Sequence, residues 1–109
     1  KYFLWVHYYD PHHPYHSRSP WIKDYASQEF IDQLALTKKT WKELWALVPI
    51  LKKDPKAREC LVALYDSEIN YVDAHLGKLI QKLHLDNNTL IIITADHGQE
   101  FLEHHFINT

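Results

Sequence analysis

Three stretches of the chain carry a clear pattern of apolar and polar positions. Leu90 to Ile93 in "LIIITADHGQEFLEHH" form an unalternated, β-branched run, as in a strand buried on both faces, so residues 89–95 are predicted to be a strand. Near the start, "FLWVHYY" is aromatic and rich in strand formers and is bounded by "DPHHP", which predicts a second strand over residues 2–9. Between them the period lengthens. Leu61, Leu64, Tyr65, Ile69, Val72, Leu76, Leu79, Ile80 and Leu83 recur at spacings of three and four, giving one apolar stripe. Asp54 is placed to cap that helix, with Pro55 at its first position, and "HLDNNT" to stop it. The pattern predicts one helix over residues 56–84, roughly eight turns long. Residues 28–53 also read as helical, split near Thr37 and bent near Pro49, and residues 10–27 as loop.

The order strand, loop with helices, long helix, strand suits an α/β fold with parallel strands joined by a helical crossover. Two such strands do not form a stable sheet alone, so the remaining strands are expected outside this sequence, with both ends read as cuts. At 109 residues there is room for one small domain and not two, and no repeat or internal boundary is visible.

Composition narrows the partners. Hydrophobic residues make up 46% and charged residues 24%, which is ordinary for a globular chain and argues against disorder. The formal charge of −2 leaves no basic patch that argues for nucleic acid. No apolar stretch reaches the ~20 residues of a membrane span. Cys60 is the only cysteine, which excludes an internal disulfide and a cysteine-based zinc site.

The residue types with metal or anion chemistry gather at the ends of the two predicted strands. Asp96 and His97 close the second strand, and a carboxylate oxygen and an imidazole nitrogen are both ligands for divalent ions. Gly98 follows them and permits a tight backbone path beside a ligand. "PHHPYH" supplies His12, His13 and His16 after the first strand, where imidazoles could donate to an anionic substrate. Taken singly, each group also reads as an ordinary polar loop. Their pairing changes the reading, because parallel strands put both loops on one sheet edge, where α/β folds bind ligands. The histidines of the first loop are then expected within ~10 Å of Asp96 and His97, one ligand's width. Cys60 lies inside the long helix and reads as a structural cysteine, and Asp66, Glu68 and Asp73 read as solvated or capping acids on the same helix. His75 and His84 receive the same reading.

Three blocks in order resemble the sulfatase family of the alkaline-phosphatase-like superfamily: "FLWVHYYDPHHPY", "LYDSEINYVDAHLGKLIQKLHLDNNTLIIITADHG", and the "EH" of Glu103 and His104. The resemblance covers roughly half of the chain. It implies that residues 1–109 are a fragment of a single sulfatase-like catalytic domain, an alkaline-phosphatase-like sandwich with parallel strands and a long crossover helix. It also implies a metal-dependent sulfuric-ester hydrolase. Asp96 and His97 match the family's metal-binding pair and His12 the histidine that contacts the sulfate. The implied metal is a divalent ion, most often Ca2+, with Mn2+ or Zn2+ in relatives that cleave phosphoesters or phosphonates. The implied partner is a sulfate ester, small molecule or glycan, and members are usually secreted, periplasmic or lysosomal.

The chain departs from the family pattern in what it lacks. The C/S-x-P-x-R block whose cysteine or serine becomes formylglycine is absent, since "CLVAL" after Cys60 has neither its proline nor its arginine. The paired aspartates that complete the metal shell are absent too. No catalytic residue is therefore expected in this sequence, and the chain alone is expected to be inactive. Two other readings stand beside the leading one: a phosphonate or phosphodiester hydrolase or phosphoethanolamine transferase of the same superfamily, and a non-catalytic α/β module. The nucleophile segment would separate them.

Overall fold

The long helix dominates the shape. In the computed structural model, which describes residues 2–34, 40–85 and 87–108, a compact domain of this length would have a radius of gyration of ~13 Å. The chain has 16.6 Å and extents of 53 × 27 × 19 Å, because a 29-residue helix alone spans ~44 Å.

Element order is a 3₁₀ turn (Trp21–Asp24), α1 (Gln28–Leu34), α2 (Trp41–Lys53), α3 (Pro55–Leu83), β1 (Glu100–Phe101) and β2 (Ile107–Asn108). Helix α3 agrees with the predicted 56–84 to within a residue at each end. Asp54 Oδ1 accepts from the backbone N–H of Lys56 at 3.0 Å and Ala57 at 3.4 Å, and Pro55 occupies the first helical position, whose N–H would have no partner anyway. The helix ends on His84 in the left-handed conformation, φ 45° and ψ 48°. Helix α2 begins with a capping box, in which Glu43 N–H donates to Thr40 Oγ1 and Thr40 N–H to Glu43 Oε2. Pro49 lies inside α2 without ending it. Proline has no N–H to donate to the Trp45 carbonyl four residues back, so one bond of the helix ladder is missing there. The predicted split near Thr37 falls outside the described residues. The predicted loop 10–27 is loop except for the 3₁₀ turn.

The core sits against the first half of α3. Ala57, Cys60, Leu61 and Leu64 pack with Tyr15, Ile22, Ile31, Leu44 and Leu51, and Phe101, Leu102 and Ile107 of the hairpin close the cluster. Beyond Glu68 the predicted stripe is only partly covered: Ile69 is 44% exposed and Leu83 36%.

The expected parallel strands over residues 2–9 and 89–95 are not formed. Among the described residues the strand pairing is antiparallel, between β1 and β2, with Glu100 opposite Asn108 and Phe101 opposite Ile107. Phe3 (87% exposed), Trp5 (72%), Leu90 (83%) and Ile92 (77%) face solvent. Strand propensity describes a surface that fits between neighbours, and without neighbouring strands these residues have no sheet to join. Tyr2 and Phe3 share a groove with Thr89, Leu90 and Ile92, and further along Tyr15 meets Gln99.

Candidate functional site

Asp96 and His97 form a preset pair. Asp96 Oδ1 accepts from His97 N–H at 3.0 Å. The Nδ1 of His97 lies 2.8 Å from the Gly98 carbonyl, so Nδ1 must carry the proton and the neutral ring presents its Nε2 lone pair. That Nε2 is 3.7 Å from Asp96 Oδ2. Both side chains are open to solvent, 81% for Asp96 and 46% for His97. A backbone carbonyl that fixes the far nitrogen is the usual way a ligating imidazole is oriented. Gly98 itself has no steric need to be glycine: a Cβ there would meet nothing within 4 Å and its φ is not positive. The left-handed positions in this region are Leu102 (φ 71°) and His105 (φ 80°), where the hairpin turns.

His12 stands on the other loop. Its Nδ1 donates to the His13 carbonyl at 2.7 Å, and its ring lies against Tyr9 and His13 at centroid distances of 4.4 and 4.2 Å. With Nδ1 so used, Nε2 can donate to an anion only when the ring is protonated. Among the described residues no hydrogen bond, ion pair or ring contact links His12 to Asp96 or His97. What the structure does join is the two loops. Tyr15, 2% exposed, donates its hydroxyl to Gln99 Oε1 at 2.9 Å, just beyond His12 on one side and His97 on the other. Burial, then the neighbouring Tyr65 and Glu68, push the Tyr15 phenol well above its ordinary range, so it stays a donor.

Glu68 overturns the reading of a solvated helix acid. It is 1% exposed and spends both oxygens on the histidine loop: Oε1 accepts from His16 N–H at 2.8 Å and Oε2 from Arg18 Nε at 2.6 Å. Arg18 extends its other arm to Asp10 Oδ1 at 2.6 Å, and its guanidinium lies over the Tyr71 ring at 4.3 Å. A carboxylate taken from water into the core is costly unless paired and hydrogen-bonded, and here it is both. Burial alone would lower the Arg18 pKa, but the Glu68 hydrogen bond and charge, with Asp10, raise it above its ordinary value. A signal for this was present in the sequence: Glu68 follows Leu61 and Leu64 at spacings of seven and four, which puts an acid on the apolar face.

The remaining predicted residues play smaller parts. Glu103 pairs with Arg58 at 3.2 Å and accepts from the backbone N–H of Phe101, contacts that shape the hairpin. His104 is 84% exposed, and its backbone N–H donates to Glu100 Oε1 at 2.7 Å. Cys60 is fully buried, as a structural cysteine would be, and burial pushes its thiol up to about 11. A groove of about 600 Å³ lined by Tyr25, Lys52, Arg58, Asp66 and His105 contains none of His12, Asp96 and His97.

As a metal site the chain supplies one carboxylate and one imidazole, near enough for ion bonds of ~2.0 to 2.5 Å to reach both. No third ligand joins them: the described residues contain no group of three or more His, Cys, Asp or Glu able to hold an ion. The pair fits as part of a shell. No described helix is long and apolar enough to cross a membrane.

Comparison with curated proteins and with solved structures finds no match. Comparison with family models does: the model described as Sulfatase matches residues 1–108. With nearly every residue inside that match, the chain belongs to the sulfatase family, a family of hydrolases with an alkaline-phosphatase-like α/β fold.

Proposed function

We propose that residues 1–109 are part of the catalytic domain of a metal-dependent ester hydrolase, in which Asp96 and His97 hold a divalent ion and His12 contacts the anionic group of the ester. The observation that carries this reading is the Asp96–His97 pair, with its two donor atoms 3.7 Å apart, exposed, and the imidazole fixed by Gly98. The Tyr15 to Gln99 hydrogen bond supports placing His12 at the same site, because it ties the two loops together. When bound, the ion would polarise the oxygens of the ester group and favour a nucleophile in its shell. Asp96 would supply negative charge to the ion, the Gly98 carbonyl would keep His97 Nε2 free to ligate, and protonated His12 would donate from Nε2 to the anion. The nucleophile, a formylglycine in this reading, and the other metal ligands lie outside this sequence.

Family membership favours a sulfate ester as substrate and calcium as the ion. A second reading rests on one observation, the imidazole in the donor set. Calcium prefers an all-oxygen shell, whereas imidazole suits manganese or zinc, the ions associated with phosphodiester and phosphonate cleavage in this superfamily. The test uses the complete protein that carries this sequence, stripped of metal and reloaded with Ca2+, Mn2+ or Zn2+. It is then assayed on 4-nitrophenyl sulfate and on a 4-nitrophenyl phosphonate ester. Asp96→Ala should lose both bound metal and turnover, and His12→Ala should lose turnover at near-normal metal content. An Asp96→Ala protein with full metal and activity overturns the assignment, and preference for the phosphonate with Mn2+ or Zn2+ selects the second reading.

A further inference from the structure

We infer that Glu68 and Arg18 are positioning residues, a buried clamp on α3 that sets the loop carrying His12. The inference rests on the role proposed above for His12. It starts from an imbalance: the most deeply buried carboxylate described in the chain forms no bond within its own helix and gives both oxygens to residues 16 and 18. Arg18 then reaches back to Asp10, so the loop from Asp10 to Arg18 is closed into a ring by one guanidinium. His12 lies inside that ring, directly after Pro11.

Each contact constrains a different part of the loop. Glu68 Oε1 holds the backbone at His16, Ser67 Oγ lies 3.5 Å from the His16 carbonyl, and Tyr15 is buried between them and the second loop. At the other end, the His12 N–H donates to the Tyr9 carbonyl at 3.1 Å, a turn whose exit is fixed by the Asp10–Arg18 pair. The guanidinium's planar fork suits two carboxylates at once, and Tyr71 covers its face. A surface ion pair would leave the loop free to sample many conformers. A fork anchored on a buried carboxylate does not, and a misplacement of about 1 Å at a reacting group costs on the order of a hundredfold in rate.

The test is a double-substitution cycle in the complete protein, with Glu68→Gln and Arg18→Lys each made alone and combined with His12→Ala. Steady-state kinetics on 4-nitrophenyl sulfate are read together with hydrogen exchange of the amides from residue 10 to residue 18. Arg18→Lys keeps the charge and removes the fork, so it remains informative if Glu68→Gln does not fold. Each single substitution should lower kcat/KM about tenfold to a hundredfold. Neither should lower it further once His12 is alanine, because a residue that acts through His12 has nothing left to act on. Faster exchange should be confined to the loop. Losses that simply add to that of His12→Ala, or unchanged exchange across the loop, overturn the clamp. If His12→Ala itself leaves kcat/KM unchanged, or the unsubstituted protein turns over no ester, the role of His12 is what fails, and the exchange measurement still decides whether the clamp holds the loop.

Discussion

Tyr15 can be divided into two parts, a ring and a hydroxyl, and the structure assigns each a different cost. In Tyr15→Phe the ring stays in place against Tyr65 and Phe101, at centroid distances of 5.6 and 6.2 Å, and only the hydrogen bond to Gln99 is lost. That bond is partly shielded from water, and Gln99 is accessible enough to regain a water partner, so the expected loss is ~1 kcal/mol. In Tyr15→Ala the ring goes too. It is 2% exposed at the centre of the cluster formed by the histidine loop, α3 and the hairpin, and removing a buried aromatic ring costs ~3–5 kcal/mol. The assay is urea denaturation of the unsubstituted protein and both variants followed by tryptophan fluorescence, with midpoints compared at a common slope. Alanine should cost ~2–4 kcal/mol more than phenylalanine. If the two variants lose equal stability, or alanine costs under ~1 kcal/mol, Tyr15 is not the packed link between the loops and the placement of His12 beside the second loop loses its support.

Two other outcomes follow from the geometry. Asp54→Ala should destabilise by ~1 kcal/mol through loss of the cap on α3, while Asp54→Ser, which keeps an acceptor, should cost less in the same denaturation assay. Cys60 should resist a thiol reagent until the protein unfolds. Its thiol pKa is raised from 9.0 to about 11 in the folded chain, so below pH 9 both states keep the proton and stability is unaffected. As pH rises from 9 through about 11 the unfolded chain ionises first, and that contribution to stability is lost; Cys60→Ala should flatten this part of the stability profile.

Helix α3 was legible because its causes are local. Asp54, Pro55 and side chains three and four positions apart act within one or two turns, so reading along the chain is enough. The contacts of Asp96 and His97 are equally local, since the carboxylate, imidazole and Gly98 carbonyl are neighbours in sequence. The burial of Glu68 was not, although its place on the apolar face was a clue, because the group that neutralises it is fifty residues away on a loop. An acid on a helix is solvated by default, and only a cation delivered by the fold reverses that.

The runs over residues 2–9 and 89–95 show the opposite limit. Their composition states that they suit a pleated, buried surface, and Phe3, Trp5, Leu90 and Ile92 have the side chains for it. A ladder, however, is a bond between strands, and no periodicity within a run supplies the partner. Side-chain pattern and caps therefore suffice for the helices, whose hydrogen bonds close within four residues. The pairing of strands, the neutralisation of Glu68 by Arg18, and the meeting of the two loops at Tyr15 and Gln99 depend on groups far apart in sequence, which three-dimensional packing alone brings within bonding distance.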